Sequence, residues 1–526
     1  MMSVPDENWS IFATNRNFDL MKKGILISCL LMAALAITAQ PKSNFITILP
    51  TDTPGEILVK AANIVPSERQ LRWQKLELTA FFHFGLNTFT DREWGEGNED
   101  PAIFNPETLD AEQWVVTVKE AGFKQVIITA KHHDGFCLWP TNTTSHSVKN
   151  SPWKNGHGDV VREVAEACRK HNMGFGVYLS PWDRNAQSYG SDAYNDFFTR
   201  QLDELLTQYG VVDEVWFDGA CGEGKDGKKQ IYDFLRWYKL IREKQPGAVI
   251  AVMGPDVRWV GTENGRGRET EWSVVPTDHF DLSAIAENSQ QDPVYKPVKD
   301  LMDDDLGSRV KILSAKGLAW YPAETAVSIR PGWFWHENQN HQVKTPEELF
   351  DIYMTSVGRN GVLLLNIPPD RRGLIHERDV QNLKAFKTLL DQIFAVNLAK
   401  GSTINSSNGK GEMSMLDGDD QTFFTTNSKD DTTTILHLRF PEQTTVNLLS
   451  LQEHLTTGQR VEAFELEYKD GSGDWKKVTE GTTIGYKRLI RFIPVTTREL
   501  RLGITSSRLN PTVAELGLYW IGEIAR

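Results

Sequence analysis

Between residues 68 and 395 the chain alternates two patterns. Apolar runs, continuous rather than alternating, fall at 80–85 (AFFHFG), 125–130 (QVIITA), 174–180 (GFGVYLS), 212–219 (VDEVWFDG), 248–254 (AVIAVMG) and 362–369 (VLLLNIPP). Between them lie stretches with apolar residues at helical spacing. Asp110 caps one that runs through Ala121 and ends at Gly122, with Trp114, Val115 and Val118 on its apolar face. Asp159 caps VVREVAEACRKHNM, which Gly174 closes. Others cover 193–208, 229–245 and 345–361. Strands that are apolar throughout are buried on both faces and need helices to cover them, so the pattern predicts a parallel sheet wrapped by helices. The length suits an α/β fold of the (β/α)8 type, a TIM barrel with some irregularity over 55–395, better than an open doubly wound sheet. No phosphate-binding glycine motif follows any strand, which removes the usual support for nucleotide binding.

From about residue 400 the period changes. Short alternating segments follow at 434–440, 445–454, 462–470, 488–493 and 500–504, separated by turn clusters such as KDGSGD at 469–474. This predicts an all-β sandwich over 400–526, joined to the barrel through the Ser-, Asn- and Gly-rich stretch 401–411.

Composition narrows the function. Hydrophobic residues at 40% and charged residues at 24% are ordinary for a globular protein, and a formal net charge of -13 gives nucleic-acid binding no electrostatic support. Most of the 16 Trp are expected in the core, which leaves some to stack on sugars or bases. Met21-Lys22-Lys23, the apolar run 24–37 and a small-residue cleavage point after Ala39 predict a signal peptide at 21–39 and export to the periplasm. The polar residues 1–20 do not fit that plan and are expected to be an extension ahead of the true start at Met21. A rival reading takes Leu26-Ile27-Ser28-Cys29 as a lipoprotein box, with lipidated Cys29 on an outer surface. Cys137, Cys168 and Cys221 make neither a disulfide framework nor a metal spacing, and no later run reaches the length of a membrane span.

Candidate chemistry sits where the apolar runs end. The first carries His83, the second runs into Lys131-His132-His133-Asp134, the third gives Tyr178 and the fourth gives Trp216 and Asp218. In a barrel these ends converge on one face, where the loops build the active site. A buried, unpaired carboxylate costs several kcal/mol, so Asp218 must be paired or used. A metal is not expected, because neighbouring His132 and His133 point to opposite faces of a strand. Hydrogen bonding to a polyhydroxylated ligand accounts for His, Tyr and Trp together.

HFG at 83–85, Glu93-Trp94, HHDGF at 132–136 and WFDG at 216–219, in that order, resemble the α-L-fucosidases of glycoside hydrolase family 29. The resemblance covers about residues 55–395. It implies a retaining exo-hydrolase of terminal α-linked L-fucose on oligosaccharides or glycoconjugates, with Asp218 as nucleophile and no cofactor required. It places His83, Glu93, Trp94, His132, His133, Tyr178 and Trp216 around the fucose. For the general acid/base, Glu263, Glu269 and Glu271 compete in RWVGTENGRGRETEWS, 258–273. The setting of Glu263 is similar to the acid/base loop of the subfamily that prefers α1,3- and α1,4-linked fucose on branched, Lewis-type glycans, although Thr262 stands where Asn is frequent. Glu271 is the runner-up, and those acids that are not catalytic are expected to pair with Arg258, Arg266 and Arg268. The methyl group of fucose needs an apolar pocket, for which Phe84, Trp333 and Trp335 are candidates. Asn360-Gly361 and Leu365-Asn366 are expected to be scaffold.

The segment DGDDQTFFTT, 417–426, and AELGLY, 514–519, resemble discoidin-type, galactose-binding-like modules, which leaves room for a structural calcium there. Two other readings stay open: a non-catalytic carbohydrate-binding protein on a degenerate barrel, and a hydrolase of a related deoxy or galacto sugar. The oligomeric state is not legible.

Overall fold

The computed structural model describes residues 42–224, 227–278 and 303–522. The expected extension 1–20, the leader 21–39 and its Cys29 alternative lie outside them.

Eight parallel strands make the barrel: β1 Leu78–Phe82, β2 Gln125–Lys131, β3 Gly174–Leu179, β4 Glu214–Phe217, β5 Val249–Val252, β6 Arg258–Trp259, β7 Ala323–Ser328 and β8 Val362–Asn366. Strands adjacent in the chain are adjacent in the sheet, and β8 returns to β1 with Leu363 opposite Leu78. Only a single bridge, Ala251 to Val257, joins β5 to β6, so the barrel is nearly closed. Every residue of β1, β2 and β8 is buried, as continuous apolar runs require.

The helix caps act as their residue types dictate. The Asp110 carboxylate accepts from the Gln113 N–H, and Asp159 accepts from Arg162. Several helix boundaries differ from the sequence reading. The helix after Asp159 stops at Lys170, where Asn172 at φ +54° makes the left-handed turn, and Gly174 already opens β3. The helix expected over 229–245 covers Phe234–Lys244, because the Asp233 side chain caps the Arg236 N–H and starts it late. No helix separates β5 from β6. Val252, at φ +63°, turns the chain straight back, an uncommon conformation for a β-branched residue. Between β6 and β7 the chain leaves the barrel and builds an antiparallel sheet of Val274–Thr277, Gly317–Trp320 and Phe45–Thr47, which the pattern did not announce.

The C-terminal all-β domain follows. The segments 434–440 and 445–454 form one long strand, Thr434–Glu453, and 488–493 and 500–504 another, Arg488–Ser507. They pair with each other, with register shifts between Arg439 and Thr444 and between Val446 and Leu448 that bend the pair. Its core includes Phe424, Leu436, Leu438, Leu449, Phe464 and Leu502. The seam with the barrel is specific. Gln459 accepts from the Ser273 N–H at 2.7 Å and donates to the Glu271 carbonyl at 3.0 Å, and Asn360 accepts from the Tyr486 N–H at 2.7 Å.

Candidate active site

The C-terminal ends of the strands bring the polar residues together. Asp218 follows β4. Its Oδ2 accepts from the Tyr178 hydroxyl of β3 at 2.9 Å, and its Oδ1 accepts from the Ala220 N–H at 2.8 Å. The His133 Nε2 stands 3.9 Å from Oδ2. Trp216 stacks on Tyr178 with ring centres 5.3 Å apart, and its indole N–H donates to buried Glu324 at 2.7 Å. Among the described residues, Asp218 therefore has neutral hydrogen-bond partners and no cation in hydrogen-bonding contact.

Three buried imidazoles line the site in neutral form. Burial pushes the pKa of His83 down to about 3 and that of His132 well below the usual histidine value, and it lowers His133 against the pull of Asp218. The Asn366 amide donates to Ser328 Oγ at 2.9 Å and to the Trp333 carbonyl at 2.7 Å, so its Oδ1 is the acceptor that faces His83 Nδ1 at 2.8 Å. Ser180 donates to the Trp182 carbonyl, so His133 Nδ1, 2.7 Å away, donates to Ser180. These partners place the single ring proton of His83 and of His133 on Nδ1, and the Nε2 of each of these two is then an acceptor for a ligand hydroxyl.

The opposite wall comes from the loop after β7. The Trp333 indole N–H donates to Glu263 Oε2 at 3.1 Å, and its ring lies 5.1 Å from that of His83. Its backbone N–H donates to Glu93 Oε2 at 2.8 Å. Glu263 stands at an exposed rim. Desolvation, with the charges of Asp218 and Glu93, raises its pKa above the usual carboxylate value, and the Trp333 hydrogen bond opposes them. Trp94 stands edge-on to His133 and to Trp182, with ring centres 5.4 and 5.5 Å away.

The other two glutamates of the 258–273 stretch lie elsewhere. Glu271 is buried in an ion pair with Arg258, with Arg268 at 3.5 Å. Glu269 pairs with Arg359 at 2.6 Å and with Arg488 of the sandwich. Arg266, expected among these partners, pairs instead with Asp351 at 2.8 Å. Two candidates for the methyl pocket have other neighbours. Phe84 packs in the core against Phe89, Phe104 and Trp114. Trp335 turns towards Arg371, because 333–335 is a bend and not a strand, and it is Phe334 whose ring meets His83 and His132 at 5.4 and 5.1 Å. Asn366 is scaffold, as expected, but scaffold of the site itself. Phe334, Trp182 and His336 had no signal beyond being polar or aromatic near a strand end. Among the described residues no group of three or more His, Cys, Asp or Glu is placed to hold a metal ion.

A barrel mouth that gathers Asp218, Glu263 with its raised pKa, neutral imidazoles and indoles has the residue types a glycoside hydrolase needs. Comparison narrows the class. Residues 67–392 match the α-L-fucosidase family and residues 399–516 match the F5/8 type C domain. Alpha-L-fucosidase 1 of Arabidopsis thaliana is 44% identical over 465 residues, 86% of this chain and 87% of that protein. A Ruminococcus gnavus family 29 fucosidase solved in complex with fucose is 34% identical, with a TM-score of 0.77 over 88% of this chain and 96% of that one. A family 29 member from a rumen bacterium is 40% identical, with a TM-score of 0.73 over 87% and 78%. The chain belongs to the α-L-fucosidase family, glycoside hydrolase family 29, and carries a discoidin-like C-terminal domain. That membership sets aside the non-catalytic reading. Among the described residues no helix is long and apolar enough to cross a membrane.

Proposed function

We propose that this enzyme is a retaining exo-hydrolase that removes terminal α-L-fucose by double displacement, with Asp218 as nucleophile and Glu263 as general acid/base. The observation that carries the reading is electrostatic. Of the three acids in 258–273, Glu271 and Glu269 are ion-paired to arginines, whereas Glu263 accepts from the Trp333 indole and has its pKa raised by desolvation and by the charges of Asp218 and Glu93. In the first step an Asp218 oxygen bonds to the anomeric carbon as the bond to the leaving oxygen breaks, and Glu263 gives that oxygen its proton. In the second step Glu263, now ionised, takes a proton from the water that displaces Asp218. Retention by this route needs the two carboxyl groups roughly 5–5.5 Å apart. His83 and His133 supply acceptors for sugar hydroxyls, His132 supplies a further ring nitrogen, Glu93 holds the Trp333 backbone beside them, Trp94 and Trp216 supply ring faces and edges, and Trp333 with Phe334 supplies the apolar wall for the methyl group.

The preference for α1,3- and α1,4-linked fucose rests on the likeness of the 259–265 loop. Export to the periplasm, or to an outer surface if Cys29 is lipidated, rests on residues 21–39. A structural calcium in the sandwich is supported by Glu515. Burial and the charge of Asp417 push its pKa up to about 7, and its Oε1 is buried without a hydrogen-bond partner. Carboxylate oxygens of Glu515 and Asp417 would hold the ion, which would screen their repulsion.

The test uses an aryl α-L-fucoside, Lewis-type trisaccharides and 2′-fucosyllactose. Asp218→Ala should lose on the order of 10⁴-fold or more in kcat/KM. Glu263→Ala should lose roughly 10²–10⁴-fold and regain activity with azide. Full activity in Asp218→Ala, azide rescue of Glu271→Ala but not Glu263→Ala, or cleavage of 2′-fucosyllactose as fast as the Lewis sugars would each overturn the corresponding part.

A further inference from the structure

Glu93 has both oxygens occupied by one loop. Oε2 accepts from the Trp333 N–H at 2.8 Å, and Oε1 lies 2.7 Å from His336 Nε2. The other ring nitrogen of His336, Nδ1, lies 2.7 Å from Asp91 Oδ1. A carboxylate only accepts, and a neutral imidazole has a single N–H. Both contacts can be hydrogen bonds only when both ring nitrogens carry protons. The packing around the contact is close, because a Cβ on Gly332 would meet both Glu93 Oε1 and His336 Cδ2. The charged groups that face the ring are Asp91 and Glu93, with Arg371 3.7 Å from the same Asp91 oxygen that contacts His336. Burial lowers the basicity of His336, but its hydrogen bonds to Asp91 and Glu93 outweigh that, and the net shift is upward.

We propose that His336, as an imidazolium, is a positioning residue that clamps Glu93 and the Trp333 loop in place, and that its deprotonation contributes to the loss of activity at alkaline pH. Trp333 in turn holds Glu263 and walls His83. When His336 loses a proton, one of its two nitrogens presents a lone pair to a carboxylate. That contact becomes repulsive, and the loop carrying Trp333 is released from the loop carrying Glu93. The inference rests on the reading of Glu263 as acid/base, which by itself would assign the alkaline limb to Glu263 alone.

The two are separated by removing the acid. An aryl α-L-fucoside with an activated leaving group, assayed with azide in Glu263→Ala, needs no proton from the enzyme in either step. The alkaline fall in kcat/KM should persist in Glu263→Ala and flatten in Glu263→Ala/His336→Gln, with the plateau roughly tenfold lower for a lost charged hydrogen bond. A limb that disappears in Glu263→Ala alone, or is unchanged in the double variant, overturns the proposal. Independently of activity, ¹⁵N NMR of the wild-type protein at pH 7 should show one imidazole protonated on both nitrogens that is absent from His336→Gln, or from Asp91→Asn if the first variant does not fold. A neutral His336 at pH 7 overturns it too. A wild-type enzyme inert towards the fucoside would sink the proposed function, while the NMR result still decides the clamp.

Discussion

The barrel mouth and the seam between barrel and sandwich are both rich in carboxylates, and they treat them in opposite ways. At the seam four acids are answered by a cation or by backbone donors. Glu271 has Arg258 and Arg268, Glu269 has Arg359 and Arg488, Glu77 has Lys487 at 2.5 Å, and Glu453 accepts from the N–H groups of Arg460, Val461 and Gly485. At the mouth Asp218 has a phenol and one backbone N–H, and Glu263 has an indole. A saturated carboxylate holds a structure together and has no capacity left. An undersaturated one keeps reactivity, at a cost in stability that a rigid barrel tolerates. Glu263 and Glu271 lie in the same short stretch of chain and fall on opposite sides of this divide.

Three measurements would break or sharpen the contrast. Arg258→Ala should have the largest effect, because it leaves Glu271 buried with only Arg268 at 3.5 Å. About 3–5 kcal/mol of stability should go, read by denaturant unfolding, while kcat per folded molecule stays as it was. A loss of kcat with unchanged stability would put Glu271 among the working groups. Glu515 lines a cavity beside Tyr353 and Phe394 of the barrel and, among the described residues, has no cation in hydrogen-bonding contact, so calcium should stabilise the protein by about 2.7 kcal/mol at a concentration 100 times Kd. Chelation should lower Tm in the wild type and not in Glu515→Gln, and a Tm indifferent to calcium would remove the ion from the domain. Tyr178→Phe is the smallest. It takes one hydrogen bond from Asp218, and kcat/KM should fall by about 2 kcal/mol, roughly thirtyfold, with little change in Tm. A collapse in Tm would make Tyr178 a structural residue.

Much of the barrel was legible because its strands are buried on both faces, and that leaves a continuous apolar signature which few other structures produce. The strand ends were legible for the same reason: His83, His132, His133, Tyr178, Trp216 and Asp218 interrupt it. The turn from β5 into β6 was not, since a missing helix leaves no pattern of its own. Neither was the turn of the aromatic loop after β7. Alternation along an extended segment pairs Trp333 with Trp335, and a bend puts Phe334 beside His83 instead.

The sequence by itself determined the layered architecture, the change of period near residue 400 and the end of each strand at which chemistry gathers, because these depend on local periodicity and on which residues can be buried. Only the tertiary structure decided which acids are spent and which are available. Glu263, Glu269 and Glu271 look alike in the chain, and what separates them is whether an arginine from β6, from the loop after Thr355 or from the sandwich arrives beside them. The same holds for His336, a single histidine in an aromatic loop until Asp91 and Glu93 close on its two nitrogens. Charge pairing is set by distance in space, and no local pattern in the chain encodes that distance.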